Sequence, residues 1–366
     1  MSDIFPKKYS EITLEYLNKV LEPKLNSKLV SFKKGEEIEP GFTGEVTRII
    51  PVFKGTNENL PKSLIIKFQT DNQGIRTFMA KIKGYDKEIK IYEILNSINE
   101  LNTAKIYHSE LSQDGSHYLI IMEDLNERGL FRIDREKPFD IKTLKLIVQY
   151  FTVLHSHFWG EENQTKIKWI KNYNFGEYMK EFTIQNFDKK KSFFINNNKN
   201  KLSDSLANII QNLKISDLYE KINPESEKNK KRITLLHGDT QPGNLMINSE
   251  RNKMAMIDWQ YINIGLGLKD IILFIGITLD ENNITGEDIQ ELKKLYINCL
   301  KEKGINYDND VFEEDWKNLC MISLCNIISA SAEENIGNDE EKRKKYGDYL
   351  VISENRFITF LQKQNI

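Results

Sequence analysis

Apolar positions along this chain recur with two different periods. Leu14, Leu17, Val20 and Leu21 fall at helical spacing behind Thr13, which predicts a helix with a threonine N-cap. Strand-like runs follow at residues 29–33, 46–53 and 63–69, and Tyr85, Ile89, Tyr92 and Leu95 restore a helical stripe over 85–95. Residues 105–109 and 118–122 read again as strands. Beyond Glu123-Asp124-Leu125 the pattern turns helical, over 141–159, 175–194, 202–213, 268–278, 286–303, 310–332 and 343–364. Two short apolar segments near 235 and 254 interrupt that helical part.

Composition narrows the picture. The chain has 366 residues, enough for two domains, and 39% hydrophobic content, enough to bury a core. Its net charge of −2 gives no basic field, so no nucleic-acid partner is expected. The opening Met1–Lys8 has no apolar signal core, and the apolar window 262–279 is broken by Lys269 and Asp270, so neither export nor membrane insertion is expected. The cysteines, Cys299, Cys320 and Cys325, are odd in number and lack paired spacing, which fits buried thiols in a reducing, cytoplasmic setting.

The two interrupting segments carry the candidate chemistry. Leu235-Leu236-His237-Gly238-Asp239-Thr240-Gln241-Pro242-Gly243-Asn244 ends one strand in an acid and places an amide on the same loop. Leu245-Met246-Ile247 starts a return strand, and Met254-Ala255-Met256-Ile257 delivers a second acid, Asp258. Taken singly, each acid reads as a turn or capping residue. Together they supply what metal–nucleotide phosphotransfer requires: Asp239 to orient an attacking hydroxyl, and Asn244 with Asp258 as hard oxygen ligands for Mg²⁺.

His-Gly-Asp, then Asn244, then Ile257-Asp258-Trp259-Gln260 resembles the aminoglycoside phosphotransferase / choline kinase superfamily, most of all its ecdysteroid-kinase-like branch. The resemblance spans nearly the whole chain, with the specific part confined to this hairpin. It implies an α+β, bilobal protein-kinase-like fold, with Asp239 as catalytic base, Asn244 and Asp258 as metal ligands, and His237 bracing the catalytic loop. A protein kinase fits less well. Gln241 stands where protein kinases usually carry lysine, Trp259-Gln260 replaces Phe-Gly after the second acid, and no Ala-Pro-Glu segment follows.

Within that expectation the first third should hold the nucleotide. Gly41-Phe42-Thr43-Gly44 reads either as a phosphate-covering turn or as an ordinary hairpin turn, since it lacks the full glycine pattern. Lys67 ends an apolar run within the strand 63–68, where a charge is costly without a partner, and resembles the family's strand lysine that contacts the α- and β-phosphates. Glu88 falls inside the buried stripe of 85–95 and Glu93 at its rim, so Glu88 is the preferred partner. Backbone groups of Glu123, Asp124 and Leu125 should meet adenine; the acids themselves can equally be exposed.

Other features are read more plainly. His155 and His157 do not share a helical face, so they are packing residues rather than metal ligands. Asp270 should cap a helix or brace the catalytic loop. Trp259 either lines the substrate cavity or packs beside Asp258. The basic run 228–232 and the acidic cluster Glu333, Glu334, Asp339, Glu340 and Glu341 read as solvated surface.

The expected architecture is an antiparallel-sheet N-lobe with one key helix (residues 1–123) and a mainly helical C-lobe (124–366). The expected reaction is ATP- and Mg²⁺-dependent phosphorylation of a small-molecule alcohol by a monomer or weak dimer. A nucleotide-binding regulator without turnover is the alternative.

Overall fold

The computed structural model describes residues 5–38, 41, 43–55, 58–173, 175–331 and 340–366, with backbone alone at 172–173 and 340–347. The chain forms two compact units, 1–132 with 246–261 and 133–245 with 262–366.

In the first unit, helix α1 (Leu14–Leu25) starts at Thr13, whose hydroxyl accepts from the Tyr16 N–H at 3.1 Å. Strands β1 (Leu29–Glu37), β2 (Gly44–Phe53), β3 (Leu64–Gln69), β4 (Ile106–Leu111) and β5 (Tyr118–Glu123) form an antiparallel sheet in the order β1-β2-β3-β5-β4. Side chains alternate across such a sheet. Leu64, Ile66 and Phe68 of β3, with Leu119 and Ile121 of β5, therefore share one core with Leu17 and Leu21 of α1. Both α1 leucines are fully buried, which contributes about 1.5–3 kcal/mol each. Alternation sends Lys67 and Tyr118 to the opposite face.

Helix α2 (Gln73–Lys81), capped by Asn72, precedes α3 (Gly84–Leu95). The apolar pattern gave no sign of α2. It is a single short helix holding Gly74, and only Met79 of its residues is buried. On α3, Tyr85, Glu88, Ile91, Tyr92 and Leu95 are buried. A short ribbon, β6 (Phe131–Arg132), β8 (Leu245–Ile247) and β9 (Met254–Met256), completes the unit from residue 246. The β8–β9 turn is closed by Asn248 N–H donating to Lys253 O at 3.1 Å.

The second unit is mainly helical, as the periodicity requires. It contains α4 (Ile141–His157), α5 (Phe175–Asn197), α6 (Asp204–Asn212), α7 (Ile215–Lys221), α8 (Glu227–Lys230), α9 (Leu268–Thr278), α10 (Gly286–Glu302), α11 (Asn309–Ala330) and α12 (Glu340–Gln362). Its two-stranded sheet joins β7 (Ile233–Leu236) to β10 (Asn263–Leu266), so the strand before the candidate loop returns by way of residues beyond Asp258. Helix α9 is apolar on nearly every side because other elements surround it. Gly276 lets α12 approach it: a methyl group there would lie 2.3 Å from a Phe357 ring carbon. Among the described residues no helix is long and apolar enough to cross a membrane.

Candidate active site

The first unit contains a buried cation held by two acids. Lys67 Nζ donates to Glu88 Oε1 at 2.6 Å and to Asp258 Oδ1 at 3.2 Å. Glu88 is fully buried, whereas Glu93 is exposed. Burial works against the charged ammonium, but the carboxylates of Asp258 and Glu88 and their hydrogen bonds more than offset it. Together they hold the Lys67 pKa above the usual lysine value. Lys67 is thus a fixed positive charge.

The pair has further support that the sequence did not announce. Gln260 Nε2 donates to Glu88 Oε2 at 2.9 Å and to the Tyr118 hydroxyl at 3.1 Å. Tyr118 stacks on Tyr85 with ring centres 4.1 Å apart, and Tyr85 donates to Thr43 O at 2.8 Å. The available signal was an amide two residues past Asp258 within an otherwise apolar neighbourhood. Asp258 itself adopts φ +67, a left-handed conformation that aspartate tolerates better than most residues. Trp259 is fully buried and bonds Met256 O at 3.1 Å, so it packs beside Asp258.

The glycine-containing turn joins β1 to β2. Gly41 is exposed, and Thr43 is buried with its carbonyl committed to Tyr85 and to the Thr70 N–H. Gly44 opens β2 so close to β3 that a Cβ would lie 2.5 Å from Phe68 O. Phe42 lies outside the described residues.

At the end of β5, Asp124 is 2% exposed and its carboxylate is committed to Arg48 at 2.5 Å and to Ser63 Oγ at 2.8 Å. Glu123 accepts from Lys105 N at 3.1 Å, and Leu125 is buried. Both carboxylates therefore have partners within the first unit.

The second unit presents an oriented carboxylate on a braced loop. Asp239 accepts from Gln241 Nε2 at both oxygens, at 3.1 and 3.0 Å, and from Asn244 Nδ2 at 2.8 Å on Oδ2. Asn244 Nδ2 also bonds Asp239 O at 2.9 Å, leaving its carbonyl oxygen as the atom it can offer a cation. Two loop N–H groups point inward to Asp270: His237 N at 2.7 Å and Gly238 N at 3.2 Å. Those bonds satisfy a carboxylate that is 2% exposed. His155 lies 3.5 Å from the same carboxylate through Nε2 and 3.0 Å from the Tyr296 hydroxyl through Nδ1. His237 is fully buried and its Nδ1 accepts from Asp239 N at 3.3 Å. Both histidines are therefore used internally. Asp270 braces the loop, one of the two roles expected of it, and Gln241 is a partner of Asp239 that the sequence did not suggest.

The basic run is the end of the short helix α8 and the turn before β7. Lys228 pairs with Glu314 at 3.0 Å and Arg232 with Asp315 at 2.9 Å. Of the acidic cluster, Glu333, Glu334, Asp339 and the side chains of Glu340 and Glu341 lie outside the described residues. Among the described residues no group of three or more His, Cys, Asp or Glu side chains is placed to hold a metal.

A family model described as ecdysteroid kinase-like matches residues 39–306. Among solved structures, the chain is similar to a choline kinase from Cryptosporidium parvum Iowa II, at 17% identity over 97% of this chain and 95% of that one, with TM-score 0.53. It is also similar to a Plasmodium vivax ethanolamine kinase, at 15% identity over 100% and 92%, with TM-score 0.50. These likenesses establish the kinase-like α+β fold. No curated protein matches the sequence.

Proposed function

The chain belongs to the ecdysteroid kinase-like family, and from that premise we propose that it transfers the γ-phosphoryl group of ATP to a hydroxyl of a small molecule. The observation that carries this reading is the Lys67 ammonium pinned by Glu88 and Asp258, together with the Asp239 carboxylate fixed by Gln241 and Asn244.

Asp239 aligns the acceptor hydroxyl and takes its proton as the new O–P bond forms and the bond to ADP breaks. Lys67 holds the α- and β-phosphates, and Glu88 keeps its ammonium in place. Since the transition state is loose, positioning and fixed charge do most of the work. Asn244 and Asp258 are the hard oxygen donors suited to Mg²⁺, which when bound neutralises phosphate charge. Asp270 holds the backbone that presents Asp239, so the carboxylate is oriented before substrate arrives.

Asp239→Asn tests the assignment. Calorimetry should give MgATP affinity close to wild type, while ADP release in the presence of an accepted alcohol should fall by at least about a hundredfold. Near-normal turnover in that variant would remove Asp239 from its role, and a wild type that binds MgATP but phosphorylates no alcohol would favour a regulator.

A further inference from the structure

Helix α3 holds two groups at once. One turn before Glu88 it carries Tyr85, and both side chains are fully buried. Glu88 accepts from Lys67 Nζ at 2.6 Å. Tyr85 Oη donates to Thr43 O at 2.8 Å, at the residue that precedes β2. The Tyr85 ring lies nearly flat on Tyr118, with planes 12° apart and centres at 4.1 Å. The Tyr118 hydroxyl accepts from Gln260 Nε2, the same nitrogen that donates to Glu88. The phenol of Tyr85 is therefore aimed by a stack and a hydrogen-bonded chain whose other end is the Lys67–Glu88 pair. Burial raises its pKa well above the usual tyrosine value, so it stays a donor.

Sheet register places what Tyr85 holds close to Lys67. Gly44 pairs with Gln69, and Val46 with Lys67. Directly paired residues share a face, as do alternate residues along a strand, so Gly44 stands on the Lys67 face roughly 7 Å further along. A Cβ there would lie 3.2 Å from the Tyr118 hydroxyl, so the missing side chain is what lets that hydroxyl approach. Thr43 O already accepts from the Thr70 N–H at 3.2 Å, which continues the β2–β3 ladder. Its second lone pair goes to a donor from the helix that also pins the buried cation. A turn that merely joined two strands would need no such tie.

We propose that Tyr85 is a positioning residue for the nucleotide triphosphate, holding the Thr43–Gly44 backbone at a fixed spacing from the Lys67 ammonium so that both meet one phosphate chain. This rests on the phosphotransfer reading above and adds to it how the phosphate site is assembled. Tyr85 touches no phosphate itself. Helix α3 sets the cation through Glu88 and the opening of β2 through Tyr85, and a polyanion requires the two together. The nucleoside part meets neither group, so cutting the tie weakens the hold on the phosphates alone.

Full-length wild type and Tyr85→Phe are titrated calorimetrically with MgATP and with adenosine. Phenylalanine keeps the stack on Tyr118, and Thr43 O keeps the Thr70 N–H, so the variant loses one hydrogen bond and orphans no buried carbonyl. The Kd for MgATP should rise about fivefold, while that for adenosine stays within about twofold. Hydrogen exchange on the wild type is a second measurement, independent of how the variant folds. MgATP should slow exchange of the Thr70 N–H, which reports on Thr43, and adenosine should leave it unchanged. An unchanged MgATP affinity in Tyr85→Phe would overturn the proposal. So would an equal loss for adenosine, which marks general loosening, or Thr70 protection indifferent to the phosphates. A flat MgATP titration of the wild type would remove the phosphotransfer reading itself, and this proposal with it.

Discussion

Gln260 donates to the oxygen of Glu88 that Lys67 does not use, 2.9 Å away, so the buried glutamate is held from both sides. The same amide nitrogen reaches the Tyr118 hydroxyl at 3.1 Å. One side chain, two residues after Asp258, therefore links α3 to β5 within the first unit. Gln260→Ala should lower unfolding free energy by about 1–3 kcal/mol, because two buried polar groups lose their donor. Urea unfolding followed by tryptophan fluorescence measures this; an unchanged midpoint would show the bond to be dispensable.

Lys67 and Glu88 should behave as a coupled unit. Lys67→Ala should cost about 3–5 kcal/mol, since it leaves the buried Glu88 without its cation, and Glu88→Ala should cost less, since Lys67 keeps Asp258 at 3.2 Å. Lys67→Ala combined with Glu88→Ala should cost less than the sum of the two single changes. A double-mutant cycle gives the coupling directly, and simple additivity would contradict the pairing.

Asp270 acts on the loop rather than on substrate. Asp270→Asn keeps the shape of the side chain but puts an N–H against one of two backbone N–H groups, those of His237 and Gly238. The expected result is a drop in kcat of about tenfold or more, with MgATP affinity nearly unchanged. A pure affinity effect would place Asp270 in a different role.

Glu354 on α12 sets a pH dependence of stability. Burial, only partly offset by Lys201 and Lys190, pushes its pKa up to about 7 from 4.5. The folded state therefore favours the protonated acid. The associated stability is fully present below the unfolded pKa and is lost as pH rises through the folded pKa, across the window from 4.5 to about 7. Glu354→Gln should flatten the stability profile across that window by on the order of 2 kcal/mol. Thermal unfolding at pH 5, 6, 7 and 8 would show it, and parallel wild-type and variant profiles would refute it.

Several elements were legible before folding because their information is local. Residues 268–278 form a helix with the bounds their periodicity gives, and Thr13 caps α1 through its own hydroxyl. The stripe over 85–95 places Glu88 inward because 100° steps along a helix need no knowledge of the partner. Helix α2 escaped because it is short, contains Gly74 and buries little. The acids at the end of β5 had no local sign that Arg48, far away in sequence, would claim Asp124.

What the linear order of residues determined by itself is the set of reactive groups and their local settings: an acid and an amide on one tight loop, a second acid after a short strand, and a lysine at the end of an apolar run. Periodicity and turn chemistry act over a few residues, so a string of letters carries them in full. Tertiary structure decided the meetings that no local pattern announced. Sheet alternation turned Lys67 toward α3, Asp258 joined it as a second acid, Gln260 arrived from beyond Asp258 to complete Glu88, and Arg48 claimed Asp124. Those meetings depend on burial and close packing between segments distant in sequence, where the cost of an unpaired polar group selects its partner, and no short-range pattern encodes that selection.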